Sequence, residues 1–321
     1  MLRSLLGINR LFHLSLLLGF IAYVTPAQAE YAYTTIDYPG ARHTVLFGIN
    51  AKGKVVGSAY FDDPPFAALT TISFVYDSRT QVFTPLPSVP GAIALGTGIS
   101  AAGIVVGLTP DPTTGYSTSG TILKNGAYTM FSHPGSSLTQ ARAISNSGLV
   151  TGFAGEAPSG TDVGFIYDPA ANQFIDILIP NSSFNITQGI NGRGEVVGSV
   201  RFPIDGVYPG SPAGFYGFLR RGSGAITLFR VNDGQTRARG ITNSGRITGF
   251  MTDPATGKTR GFVAGVAESP DFQALVIPDP ELLDVPGAAL TSPQGINDSG
   301  FISGSWIDDT GANHGFIAAP R

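Results

Sequence analysis

Few residues in this sequence are equipped for chemistry, and none stands in a familiar constellation. Past the N-terminal leader, three histidines remain: His43, His133 and His314. An imidazole acts as a base near neutral pH or ligates a transition metal. Two carboxylate pairs, Asp62–Asp63 and Asp308–Asp309, offer hard oxygens of the kind calcium gathers, though neither fits a recognised calcium loop. Aromatic side chains accompany them: Tyr60, Phe61, Phe66, Tyr116, Phe202, Tyr208 and Trp306, the only tryptophan. Their flat apolar faces and polar tips suit stacking on sugar rings. No Gly-x-Ser-x-Gly, His-Glu-x-x-His or P-loop occurs, and no Gly-x-Gly-x-x-Gly opens a helix. The absence of cysteine removes disulfides, thiolate metal sites and a cysteine nucleophile. Each group also has a plainer role: loop aspartates form turns, as in Asp111-Pro112 and Asp253-Pro254, and loop aromatics cover strand ends.

The elements that must position these residues are declared by a repeat. Six segments share one pattern, starting at Gly48, Gly98, Ala143, Gly189, Gly240 and Gly295. The first reads GINAKGKVVG and the last GINDSGFISG. Each keeps Ile in the second place, Asn, Ser or Thr in the third, and Gly in the sixth and tenth. An Asn, Ser or Thr three residues before a Gly suits a type I turn followed by a left-handed glycine. Apolar β-branched residues on both sides make the segment a hairpin.

A Gly-Phe-type strand follows each hairpin, such as GFIYD at Gly164 and GFIAA at Gly315. A further strand-like piece follows the first five: VFTPL, AYTMF, QFIDI, AITLF and FQALV. Each unit therefore has four strands, and the sixth lacks its fourth because the chain stops at Arg321. The missing piece stands at the other end, where YAYTTIDYPG (Tyr31 to Gly40) precedes the first hairpin and resembles LLDVPGA at Leu282. Four strands in each unit of about 49 residues match a propeller blade. The expected fold is an all-β, six-bladed propeller closed by its N-terminal strand, a device that removes exposed sheet edges. Residues 30–321 form one domain in this reading. An open β-solenoid is the alternative, but no segment looks like a cap.

Composition agrees. Glycine (43) and proline (23) are abundant, which favours tight turns over long helices, and 42% hydrophobic residues suffice for a packed core. Residues 1–29 read as a cleavable secretory signal: Arg3 and Arg10, an apolar run from Leu11 to Val24, then Ala27-Gln28-Ala29. The run of about 14 residues is short for a membrane anchor. Its removal leaves 17 bases against 22 acids, a mild acidity that gives no reason to expect nucleic acid. The expected product is secreted or periplasmic, monomeric, free of membrane insertion and without a cofactor, calcium being the one ion the carboxylate pairs suit.

The alternation of G-I-N-x-x-G-x-V-V-G with an aromatic Gly-Phe strand resembles the HAF-type extracellular repeat family of secreted bacterial proteins. The resemblance covers residues 31–321. Its His-Ala-Phe piece survives only as His314-Gly315-Phe316. It implies an exported bacterial repeat protein and transfers no catalytic residue.

With the strand before the turn innermost, short uniform turns lie on one face and the variable loops on the other. Function tends to ride on variable loops above a rigid scaffold. Those loops carry nine acids against three bases, and the three histidines fall on the same face. The residues expected to bind ligand are Trp306, Asp308, Asp309, His314, His43, His133, Tyr60, Asp62 and Asp63. Three readings compete. The first is a non-catalytic recognition propeller for glycan or a cell-surface polymer. The second is a polysaccharide hydrolase or lyase at the channel mouth, whose acids need stand only about 5–10 Å apart. The third is a structural repeat protein.

Overall fold

The computed structural model describes residues 31–61, 71–89, 94–110, 118–155, 162–207 and 212–321. The leader, Asp62, Asp63, Phe66, Asp111, Tyr116, Glu156 and Tyr208 lie outside the described residues. All regular structure among the described residues is β. The chain opens with β1 (Tyr31–Ile36). The first repeat forms β2 (His43–Ile49), β3 (Lys54–Tyr60), β4 (Thr71–Asp77) and β5 (Val82–Pro85). The second forms β6 (Leu95–Ile99), β7 (Val105–Pro110), β8 (Thr118–Lys124) and β9 (Ala127–Phe131). The third forms β10 (Leu138–Ile144), β11 (Val150–Gly155), β12 (Val163–Asp168) and β13 (Gln173–Ile177). The fourth forms β14 (Phe184–Ile190), β15 (Val196–Phe202), β16 (Gly214–Arg220) and β17 (Ile226–Val231). The fifth contributes β18 (Gln235–Ile241), β19 (Arg246–Thr252), β20 (Thr259–Gly265), β21 (Ala274–Ile277) and β22 (Glu281–Leu283). The sixth contributes β23 (Leu290–Ile296), β24 (Ile302–Ile307) and β25 (Asn313–Pro320).

Each repeat is an antiparallel meander, and a bridge from Leu138 to Thr118 links the second and third. The hairpin turns fold as their residues require. In the first, Gly53 donates to the Asn50 carbonyl at 3.1 Å and takes φ +73°, a conformation that disfavours a side chain. Asn50 Oδ1 accepts from the backbone N–H of Lys52 and Lys54, both at 3.0 Å. The tenth-place glycine answers a different need. A Cβ on Gly107 would run into the Leu95 carbonyl oxygen of the paired strand.

β1 pairs antiparallel with β25 over six residue pairs, from Tyr31↔Pro320 to Ile36↔Gly315, and is the outer strand of the last sheet. The fifth repeat departs from expectation. FQALV was read as its outer strand, but β21 runs parallel to β17 and widens the fourth sheet to five strands. The outer place in the fifth sheet goes to β22, paired with β20. Burial accounts for the exchange. Leu283 of β22 is fully buried, whereas Leu275 and Ile277 of β21 pack against the apolar cluster shared by the fourth and fifth repeats.

The core lies between neighbouring sheets. Six apolar clusters each join consecutive repeats, and the one holding Leu46 and Phe74 of the first repeat also takes Ile36 of β1 and Ile317 of β25. Innermost strands touch in sequence, β2 with β6, β6 with β10, β10 with β14, β14 with β18, β18 with β23, and β23 with β2. The architecture is all-β and propeller-like.

Candidate functional site

The second-place isoleucines, Ile49, Ile99, Ile144, Ile190, Ile241 and Ile296, meet on one axis and line two cavities of about 80 Å³ each. They divide a central channel into halves. The half toward the short turns is lined by Asn50, Ser145, Asn191, Asn243 and Asn297. The half toward the long loops is built differently. Each innermost strand slips register just before its isoleucine, between Gly96 and Gly98, Ala141 and Ala143, Thr187 and Gly189, Ala238 and Gly240, and Pro293 and Gly295 in the last five repeats. A bulge re-aims the extra side chain. Here those residues are Thr97, Arg142, Gln188, Arg239 and Gln294, and all five line the cavity.

Two of them are cations. Arg142 donates to Gln140 Oε1 at 2.9 Å and lies 5.0 Å from the Phe153 ring centre. Arg239 lies 5.1 Å from the Phe250 ring centre. The Nε atoms of both, and Nε2 of Gln188, are buried with no hydrogen-bond partner among the described residues. Burial lowers the pKa of Arg142 to about 10, with only the charge of Asp162 opposing. Burial first, then repulsion from Arg142 and Arg237, lowers that of Arg239 to about 9. The long-loop side was expected to be acidic from its loop charges. Below those loops, the inner strands β10 and β18 place two cations inside the channel.

The expected ligand-binding residues divide into groups. Trp306, His314, Asp308 and His43 gather where the last repeat meets the first. The Trp306 and His314 rings stack at 4.5 Å, inclined by 25°. His314 pairs with Asp37 through Nδ1 at 2.9 Å and with Asp308 through Nε2 at 3.3 Å. Desolvation pulls the His314 pKa down, but Asp37 and then Asp308 outweigh it, leaving the pKa raised. His43 is buried, and its Nδ1 accepts from the Asn313 N–H at 3.0 Å. Asp308 is first a turn former. Its Oδ1 accepts from Thr310 N, Thr310 Oγ1 and Ala312 N, and these bonds with His314 hold its pKa at about 2. Asp309 beside it is exposed.

Two of the expected residues lie apart from this cluster or inside it. His133 stands between the second and third repeats, where it pairs with Asp176 at 2.9 Å and packs edge-on to Phe174 at 4.8 Å. Tyr60 faces inward: it is buried opposite His43, and burial raises its pKa. No three His, Asp or Glu side chains among the described residues are grouped to hold a metal ion.

Trp306 also borders an open groove of about 750 Å³ between the outer parts of the fifth and sixth repeats. Tyr31 and Tyr33 of β1, Pro286, Arg260 and Asp284 line it as well. Arg260 donates through Nε to Asp284 Oδ2 at 2.8 Å. Burial pushes the Tyr33 hydroxyl pKa up to about 12, so it stays a donor. Trp306 Nε1 is buried with no hydrogen-bond partner among the described residues. The sequence reading missed the two tyrosines because β1 was read only as a closing strand.

No protein-family model matches the sequence, and no curated protein is significantly similar to it. Among solved structures the chain resembles a protein of unknown function from Dyadobacter fermentans, with TM-score 0.55 and 11% identity over 92% of this chain and 100% of that one. It also matches an oligogalacturonate lyase in complex with manganese, with TM-score 0.47 and 8% identity over 92% and 98% of the two chains. TolB from Acinetobacter baumannii matches with TM-score 0.46 and 10% identity over 86% and 54%. The first likeness bears on the fold alone, and the other two carry no argument.

Proposed function

We propose that the chain is an exported, six-bladed β-propeller of the HAF-type repeat kind, closed by β1, whose work is recognition of a glycan or cell-surface polymer. The groove between the fifth and sixth repeats carries this reading. It sets Tyr31, Tyr33 and Trp306 around one space of about 750 Å³, with Arg260 and Asp284 at hand. Aromatic faces beside a few placed polar groups match the alternating apolar and hydroxylated surfaces of sugar rings.

Binding without cleavage is favoured by the state of the groove's carboxylate. Asp284 is tied to Arg260 by two hydrogen bonds, at 2.8 and 2.5 Å, so its side chain is already engaged by a cation. Glycoside hydrolysis uses a pair of carboxyl groups, and Asp284 is the one Asp or Glu among the described residues lining the groove. Affinity electrophoresis against neutral and acidic polysaccharides tests the reading. Trp306→Ala and Tyr33→Ala should each weaken retardation by the bound polymer about tenfold, the size of losing one stacked ring. Unchanged retardation in both variants would remove the groove from the account.

A further inference from the structure

Arg142, Gln188 and Arg239 come from β10, β14 and β18, three successive innermost strands, and occupy the same bulge position in each. They therefore converge on one arc of the channel rather than on opposite walls. Gln188 is 7% accessible, and its Nε2 has no partner among the described residues. The two guanidinium Nε atoms share that condition. Buried donors in native proteins are almost always satisfied, and a buried charge without a counter-charge is costly. Neither arginine has a carboxylate within ion-pair distance among the described residues; Asp162 acts on Arg142 only at longer range. The fold does not require the charges, since the same position holds Thr97 in the second repeat and Gln294 in the sixth.

We infer that the long-loop half of the channel binds a small oxyanion, held between Arg142 and Arg239 with Gln188 Nε2 donating a further hydrogen bond. The ligand class is phosphate, sulfate or a carboxylate, the groups that guanidinium forks match. A volume of about 80 Å³ suits one such group, not a sugar ring. An anion would satisfy the three orphaned donors and offset the repulsion between Arg239 and Arg142. The isoleucine ring closes the far side, so the anion enters from the long-loop mouth. This site is separate from the groove and stands whether or not the groove binds sugar.

Thermal denaturation of the purified protein at pH 7.5 tests it. Sodium phosphate, sulfate or acetate is titrated at constant ionic strength against sodium chloride. At about one hundred times its dissociation constant the bound oxyanion should raise Tm by several degrees. Acetate separates a carboxylate site from one built for tetrahedral anions. Arg142→Gln and Arg239→Gln should each abolish the anion-dependent shift while leaving Tm without anion unchanged or higher, because an unpaired buried charge is gone. Gln188→Leu should reduce the shift severalfold, and Arg79→Gln on the opposite face should leave it intact. Equal shifts in wild type and both arginine variants, or no shift with any oxyanion up to tens of millimolar, would overturn the proposal.

Discussion

Asn297 donates its side-chain Nδ2 to the backbone carbonyl of Asn50 at 3.0 Å, across 247 residues of sequence. The same asparagine accepts, through Oδ1, the N–H groups of Ser299 and Phe301, both at 3.0 Å. One side chain thus shapes its own turn and ties the last repeat to the first. The arrangement recurs where Asn50 donates to the Ser100 carbonyl at 2.9 Å and Asn191 to that of Thr242 at 3.0 Å. Asn297→Ala removes three hydrogen bonds, one of them buried, and should destabilise the protein by about 1–3 kcal/mol. Urea denaturation reads this directly. A loss below about 0.5 kcal/mol would show that the link is incidental.

The pairing of β1 with β25 makes a second prediction. Tyr31 and Ile36 are each 6% accessible and belong to different inter-sheet clusters, with Phe316 in one and Ile317 in the other. Burying each is worth about 1.5–3 kcal/mol. Removing residues 31–36 from the protein should lower Tm by at least several degrees and, by exposing the edge of β25, promote aggregation. Unchanged melting and unchanged solution behaviour would contradict the role given to this strand.

The His314 cluster predicts a pH dependence. Asp37 and Asp308 face its two ring nitrogens, and His43 lies nearby through Asn313. The folded pKa is raised above 6.5, so the unfolded state holds the proton less tightly. The stabilisation is therefore complete below the unfolded value and is lost as pH rises through the folded one. Asp308 does not intrude, because its low pKa matters only as pH falls from about 3.8 toward about 2. Asp37→Asn should shrink the difference in Tm between pH 5.5 and pH 8.5. The emission of Trp306, stacked on His314, should titrate in the wild type with a midpoint above 6.5 and shift downward in the variant. A midpoint unmoved by the substitution would disprove the pairing.

The repeat was legible because each of its recurring residues has a separate physical task. Gly53 needs a positive φ, Gly107 a missing Cβ, and the isoleucines a place on the central axis. The outer strand of the fifth repeat was misread because FQALV has strand composition, and composition does not say which edge a strand joins. Leu283 beside Glu281 was the better strand, fixed by burial and by the Glu281–Arg246 pair at 2.8 Å. Asp308 and His314 drew attention because polar residues in variable loops stand out. Arg142 and Arg239 were overlooked because a bulge breaks the two-residue alternation that tells inside from outside. A signal was present in the polar residue before the final Gly-Ile or Ala-Ile of successive innermost strands: Arg142, Gln188, Arg239 and Gln294.

The most direct test of the recognition reading is a titration of the single tryptophan's emission with soluble polysaccharide fragments, while new reducing ends and unsaturated products are followed in the same samples. The account predicts a saturable change in Trp306 emission with one class of sugar, lost in Tyr33→Ala, and no products. No emission change with any fragment at millimolar concentration, or the steady release of cleaved sugars, would contradict it.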